Sequence, residues 1–147
     1  MARDCAEKLE EDFNYELAVK MYESAAQLYE MDNQTSYANS MLTKWADLTI
    51  ISNSKADFGK LIKCYEKIGL KYLGQNLVRS SARGYFLKSG CCYLANEDLV
   101  GLKMALEKYC LEDPTFETQR EKKFLNSMHA ACENRDLEMF GKTVNDY

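Results

Sequence analysis

The sequence predicts an all-α fold, a right-handed α-solenoid of stacked antiparallel helix hairpins. Three observations carry that expectation. Glycine occurs seven times and proline once in 147 residues, too sparsely to punctuate an all-β chain. Apolar residues recur at spacings of three and four, so each long segment presents one apolar helical face. A two-helix pattern returns about every 40 residues, as in helical repeat arrays.

Taken in order, Ala2 to Glu11 is a helix whose upstream partner is missing, and Asp12-Phe13-Asn14 turns the chain. Tyr15 to Tyr29 is a helix with Leu17, Ala18, Met21, Tyr22, Ala25, Leu28 and Tyr29 in one stripe. Met31 to Ser36 is a polar loop. Tyr37 to Ile51 carries Met41, Leu42, Trp45, Leu48 and Thr49 on or beside its apolar face, and residues 52–55 break it. Asp57-Phe58 starts a helix to about Ile68, with Gly69 as its C-cap glycine and residues 70–77 as a connector. Val78 to Leu94 and Leu99 to Tyr109 form the clearest hairpin, turned by Asn96-Glu97-Asp98. Asp113-Pro114 stops it, because proline lacks the N–H that would continue the ladder. Thr118 to Cys132 and Leu137 to Tyr147 make the last pair, with Phe140 and Val144 inward.

The hairpins repeat. Asp12-Phe13, Asp57-Phe58, Asp98-Leu99 and Asp136-Leu137 precede successive second helices at spacings of 45, 41 and 38, each with Asp as N-cap. Phe86-Leu87-Lys88-Ser89 matches Leu42-Thr43-Lys44-Trp45 at 44 residues and Phe124-Leu125-Asn126-Ser127 at 38. The plan is tetratricopeptide-like, with helices longer than that 34-residue repeat allows. The expectation is one solenoid domain over residues 1–147, with hairpins at 2–29, 37–68, 78–112 and 118–147.

Composition narrows the function. A net charge of −4 argues against a nucleic-acid binder working through bulk charge. Acids at 7, 10, 11 and 12 interrupt any signal peptide, and no apolar run is long enough to span a bilayer, which points to the cytosol. Cys5, Cys64, Cys91, Cys92, Cys110 and Cys132 form no C-x-x-C pair, and His129 is the lone histidine, so no zinc set is expected. The cysteines read as buried reduced thiols. No phosphate loop, nucleophile elbow, H-E-x-x-H or EF-hand loop is present, so no cofactor and no enzyme are expected. The acid pairs Glu10/Glu11 and Glu97/Asp98 read as caps and solvated faces. Tyr22, Tyr65, Tyr85, Tyr93 and Tyr109 read as packing between helices, and Trp45 as core.

Tyr85-Phe86-Leu87-Lys88, then Glu112-Asp113-Pro114-Thr115-Phe116, then Arg120-Glu121 ahead of an apolar helix, resemble the soluble NSF attachment proteins of the alpha, or Sec17-like, type. Lys44-Trp45-Ala46-Asp47-Leu48 and Cys64-Tyr65-Glu66-Lys67-Ile68 fit that family in the same order. The resemblance implies a cytosolic adaptor, peripheral at membranes, that coats an assembled SNARE four-helix bundle of the syntaxin type. It would recruit the hexameric NSF ATPase, which pulls the bundle apart after fusion. The family's basic bundle-facing positions fall on Arg83 and Arg120, with Lys44 a further candidate, and a neighbouring family lysine falls on Ser40. Its NSF-facing acids fall on Glu97 or Asp98 and on Glu133, while two others fall on Ala130 and Asn134. Family members are about twice as long. Their membrane-touching loop and their NSF-stimulating tail have no counterpart here, so membrane contact is expected only through those parts. Apart from the resemblance, the same pattern fits a generic tetratricopeptide-like scaffold for a peptide or a helical protein.

Overall fold

A computed structural model describes residues 1–52 and 56–147. Residues 53–55, where part of the expected helix break falls, lie outside the described residues. The fold is all-α and of the helical-hairpin solenoid class. Its helices are α1 (Ala2–Glu11), α2 (Tyr15–Met31), α3 (Thr35–Ser52), α4 (Phe58–Leu73), α5 (Ala82–Ala95), α6 (Leu99–Glu112), α7 (Arg120–Glu133) and α8 (Leu137–Asp146). Short 3₁₀ turns occupy Arg79–Ser81 and Pro114–Thr118. They group into two compact units, Met1–Asp57 and Phe58–Tyr147.

In the first unit α2 packs against both α1 and α3. Its buried residues are Ala18, Tyr22, Ala25 and Ala26, facing a set that includes Ala38, Met41, Trp45 and Leu48 of α3. Leu17 and Leu28, expected in the α2 stripe, are instead 43% and 55% exposed. The alanine side of α2 is the one buried, because small side chains let neighbouring helix axes approach closely. Trp45 is core, as expected. Glu10 is no simple solvated acid. It accepts hydrogen bonds from the Tyr22 hydroxyl (2.7 Å) and from Lys44 Nζ (3.1 Å), which ties α1, α2 and α3 together.

One turn recurs four times. Phe13, Asn33, Glu97 and Arg135 all adopt φ between 53° and 58°. In each case the next residue's N–H reaches back five positions, to Leu9, Tyr29, Tyr93 and Ala131. This is a Schellman closure in which the left-handed position is not glycine. It corrects the expected repeat register. Asp98 and Asp136 do cap α6 and α8, through Gly101 N–H and Met139 N–H. Asp12 instead ends α1, and the residue equivalent to Asp98 is Asn14, which makes no side-chain cap bond.

The second unit is organised around Phe86. Its ring stacks on Tyr109 at 4.4 Å and meets Phe116 edge-on at 5.7 Å. Leu102, Ala105, Leu106 and Leu125 complete the buried cluster. Tyr65 is also buried, while Tyr85 and Tyr93 are only partly so. Gly69 is not a C-cap. It lies inside α4, which runs on to Leu73, and a Cβ there would sit 2.9 Å from Phe86 Cε1. The glycine therefore sets how closely α4 and α5 approach. Gly90 does the same for α5 and α7 against Leu125. Asp113-Pro114 ends α6 as expected, with Asp113 Oδ1 capping the following turn through Thr115. Phe140 and Val144 are not inward, since α8 buries no residue and leaves them 40% and 49% exposed. All six cysteines are free thiols, but only Cys92 is buried, while Cys5 and Cys91 are exposed.

Candidate functional site

The polarity of the second unit follows from its helix directions. The α5–α6 hairpin is antiparallel, since only residues 96–98 join two helices that pack on each other, with Phe86 and Ser89 meeting Tyr109. Gly90 meets Leu125 and Arg83 meets Gln119, a near-constant offset of 35 and 36 residues, so α5 and α7 run parallel. Their N-termini therefore share one end of the unit and their C-termini the other. A 14-residue helix is roughly 21 Å long.

At the N-terminal end the structure brings Arg83 and Arg120 together. Arg83 Nε lies 3.9 Å and Arg120 Nε 3.8 Å from the same oxygen, Glu121 Oε1. Arg83 Nη1 also donates to Gln119 Oε1 at 2.8 Å. The Arg120 guanidinium lies over the Tyr147 ring, 5.0 Å from its centre. A third cation, Arg79, reaches Asp113 at 3.6 Å. A hollow of about 410 Å³ beside them is lined by Asn76, Arg79, Ser80, Arg83, Asp113, Thr115 and Gln119. Cations at helix N-termini oppose the macrodipole. Such an arrangement is poor for stability and suits an acidic partner.

Sequence reasoning missed Arg79, Gln119 and Glu121. Arg79 precedes Arg83 by four residues, and that helical spacing was the available signal. Glu121 entered only as part of the Arg120-Glu121 motif, since nothing along the chain signals its burial.

At the other end stand the acids. Glu97 is an exposed left-handed turn residue. The Asp98 carboxylate is engaged as the α6 cap. Glu133 is exposed at the end of α7, 3.8 Å from His129 Nδ1. His129 Nε2 lies 3.1 Å from the Leu99 carbonyl, which brings the end of α7 beside the start of α6. The histidine is thus a tie between these helices.

Lys44 belongs to the first unit, where it is 49% exposed and paired with Glu10. That carboxyl is held below its usual range, chiefly by the Tyr22 hydroxyl and then by Lys44. Among the described residues, no group of three His, Cys, Asp or Glu side chains is placed to hold a metal ion. Among them, too, no helix is long and apolar enough to cross a membrane.

Comparison with known proteins identifies the family. Residues 1–147 match the family described as soluble NSF attachment protein, SNAP. A probable vesicular-fusion protein sec17 homolog of Neurospora crassa is 41% identical over 123 residues, covering 84% of this chain and 41% of that protein. The alpha-soluble NSF attachment protein of Vitis vinifera is 32% identical over 145 residues, 99% of this chain and 49% of its own length. That of Saccharomyces cerevisiae is 30% identical over 145 residues, again 49% of its length. The chain thus spans less than half the length of these relatives. With the whole of it matched and its helical hairpins in place, the chain belongs to the soluble NSF attachment protein family.

Proposed function

We propose that this chain is an adaptor that binds assembled SNARE four-helix bundles and recruits the NSF ATPase for their disassembly in vesicle fusion and intracellular transport. It has no catalysis of its own. It works in the cytoplasm, peripheral at membranes, as one domain over residues 1–147. Arg83, Arg120 and Lys44 meet the acidic surface of a syntaxin-type bundle, joined by Arg79. Glu97 and Glu133 meet NSF, with Asp98 holding the turn that presents Glu97.

The observation that carries this reading is the gathering of three arginines at one end of the second unit, with two exposed acids at the other. Arg79, Arg83 and Arg120 gather at the shared N-terminal end of α5 and α7, beside Asp113 and Glu121, while Glu97 and Glu133 stand exposed at the opposite end, near Arg135. Two partners of opposite charge then engage without competing for one face. Exposed ion pairs contribute about 0–1 kcal/mol each. Binding by one copy is therefore weak, and several copies around one bundle gain strength through avidity.

The test is capture of assembled bundle against free SNARE peptides, with R83E/R120E as the charge-reversed control. Capture of bundle in preference to peptides, abolished by the reversal at low salt, is expected. Equal capture of both would favour the tetratricopeptide-like peptide scaffold instead. Binding unchanged by the reversal would remove the arginine end from the interface.

A further inference from the structure

Glu121 is an acid in the first turn of α7, a position that suits the helix dipole, but its carboxylate is poorly satisfied. It is 7% exposed, yet its Oε2 has no hydrogen-bond partner among the described residues. Its Oε1 faces two guanidinium nitrogens at 3.8 and 3.9 Å, beyond hydrogen-bond distance. A buried carboxylate satisfied this poorly costs free energy. Nor does it fix the arginines. Arg83 is held by Gln119 at 2.8 Å, and Arg120 rests on Tyr147. What Glu121 contributes is a single negative charge between two cations that the proposed function assigns to an acidic partner.

We infer that Glu121 is a restraining residue, an internal anion that competes with the partner's carboxylates for Arg83 and Arg120 and keeps the adaptor's grip weak enough to release. The inference rests on the reading of Arg83 and Arg120 as bundle-facing. Attraction between a docking acid and the arginine pair is offset by Glu121 at every step of approach. Removing its charge leaves both guanidiniums where they are and raises the local positive potential. A residue that only supported the fold would change binding in the opposite direction, or leave it alone.

The experiment compares the full chain with E121Q and with E121M in binding to assembled SNARE bundle across a salt series. The methionine variant serves because an apolar residue of similar volume often tolerates a buried charge site better than a polar one. The expected result is binding about two- to tenfold tighter at low salt, the size of two weak ion pairs. The dependence of log Kd on log salt should steepen, and the gain should vanish in an R83Q/R120Q background. Unchanged or weaker binding by a folded variant would overturn the inference, and so would loss of fold in both variants. R83E/R120E separates the two ideas. If that reversal abolishes binding while E121Q changes nothing, the interface stands and the restraint fails. If neither changes binding, the interface itself is misassigned.

Discussion

Single residues here carry strain and burial that composition does not reveal. Phe13 and Arg135 sit at φ 58° and 53°, where a side chain costs roughly 1–2 kcal/mol that glycine avoids. Glycine in turn loses about 0.5–1 kcal/mol through its freer unfolded chain. Phe13→Gly and Arg135→Gly should each therefore stabilise by about 0.5–1 kcal/mol, read as a higher urea midpoint with unchanged slope. Tyr109 is the opposite case. Its hydroxyl donates to Glu66 Oε1 at 2.6 Å and lies 2.6 Å from Ser89 Oγ, which donates to it in turn. Tyr109→Phe leaves both partners short of a bond and should cost about 1–3 kcal/mol. Burial first, and then the bond to Glu66, raise the Tyr109 hydroxyl far above its ordinary range. The folded state holds that proton more tightly than the unfolded one. Its contribution is therefore complete below about pH 10 and shrinks as pH rises further. Denaturation at alkaline pH should show a shallower loss of stability in Tyr109→Phe than in the parent.

Helix contacts in the second unit depend on two glycines. A Cβ at Gly90 would lie 2.5 Å from Leu125 Cδ1, and one at Gly69 would lie 2.9 Å from Phe86 Cε1. Both neighbours are fully buried and have little room to move. Gly90→Ala and Gly69→Ala should each lose about 1–3 kcal/mol through overpacking, despite alanine's better helix propensity. Thermal denaturation followed by circular dichroism measures this. Gly90→Ala carries a second consequence, because the same contact sets the offset that brings Arg83 beside Gln119. Bundle binding should fall in step with its stability. Elsewhere the sequence was a good guide to elements. Asp98, Asp136 and Asp113-Pro114 announce helix starts and stops by chemistry that acts within three residues. The stripe of α2 held Ala18, Tyr22 and Ala25 correctly but left out Ala26 and took in Leu17 and Leu28, because leucine gives a stronger periodicity signal than alanine.

The chain groups into two compact units. The cluster around Phe86, Tyr109 and Phe116 lies wholly within Phe58–Tyr147. A fragment of residues 58–147 should therefore fold alone, with helical circular dichroism and a cooperative melt. Because Arg79, Arg83, Arg120 and Glu121 all lie in it, it should retain most salt-sensitive bundle binding and the gain from E121Q. Screening is expected to weaken that binding progressively above about 0.1 M salt, where the Debye length is about 10 Å.

By itself, the sequence determined the helical class, most helix limits, the hairpin period and the family. Each rests on neighbours three or four residues apart, or on an ordered set of motifs, and both are written along the chain. It named Arg83 and Arg120 as partners in one role, but through resemblance and not through geometry. Only the tertiary structure decided that they meet over one buried carboxylate, with Arg79 and Gln119 beside them. Residues 36 to 38 positions apart come together only once hairpins stack, and the close approach at Gly90 and Leu125 sets that stacking distance. The charge of Glu121 is plain in the sequence. Its burial between two arginines, and hence its proposed restraint on them, exists only in the fold.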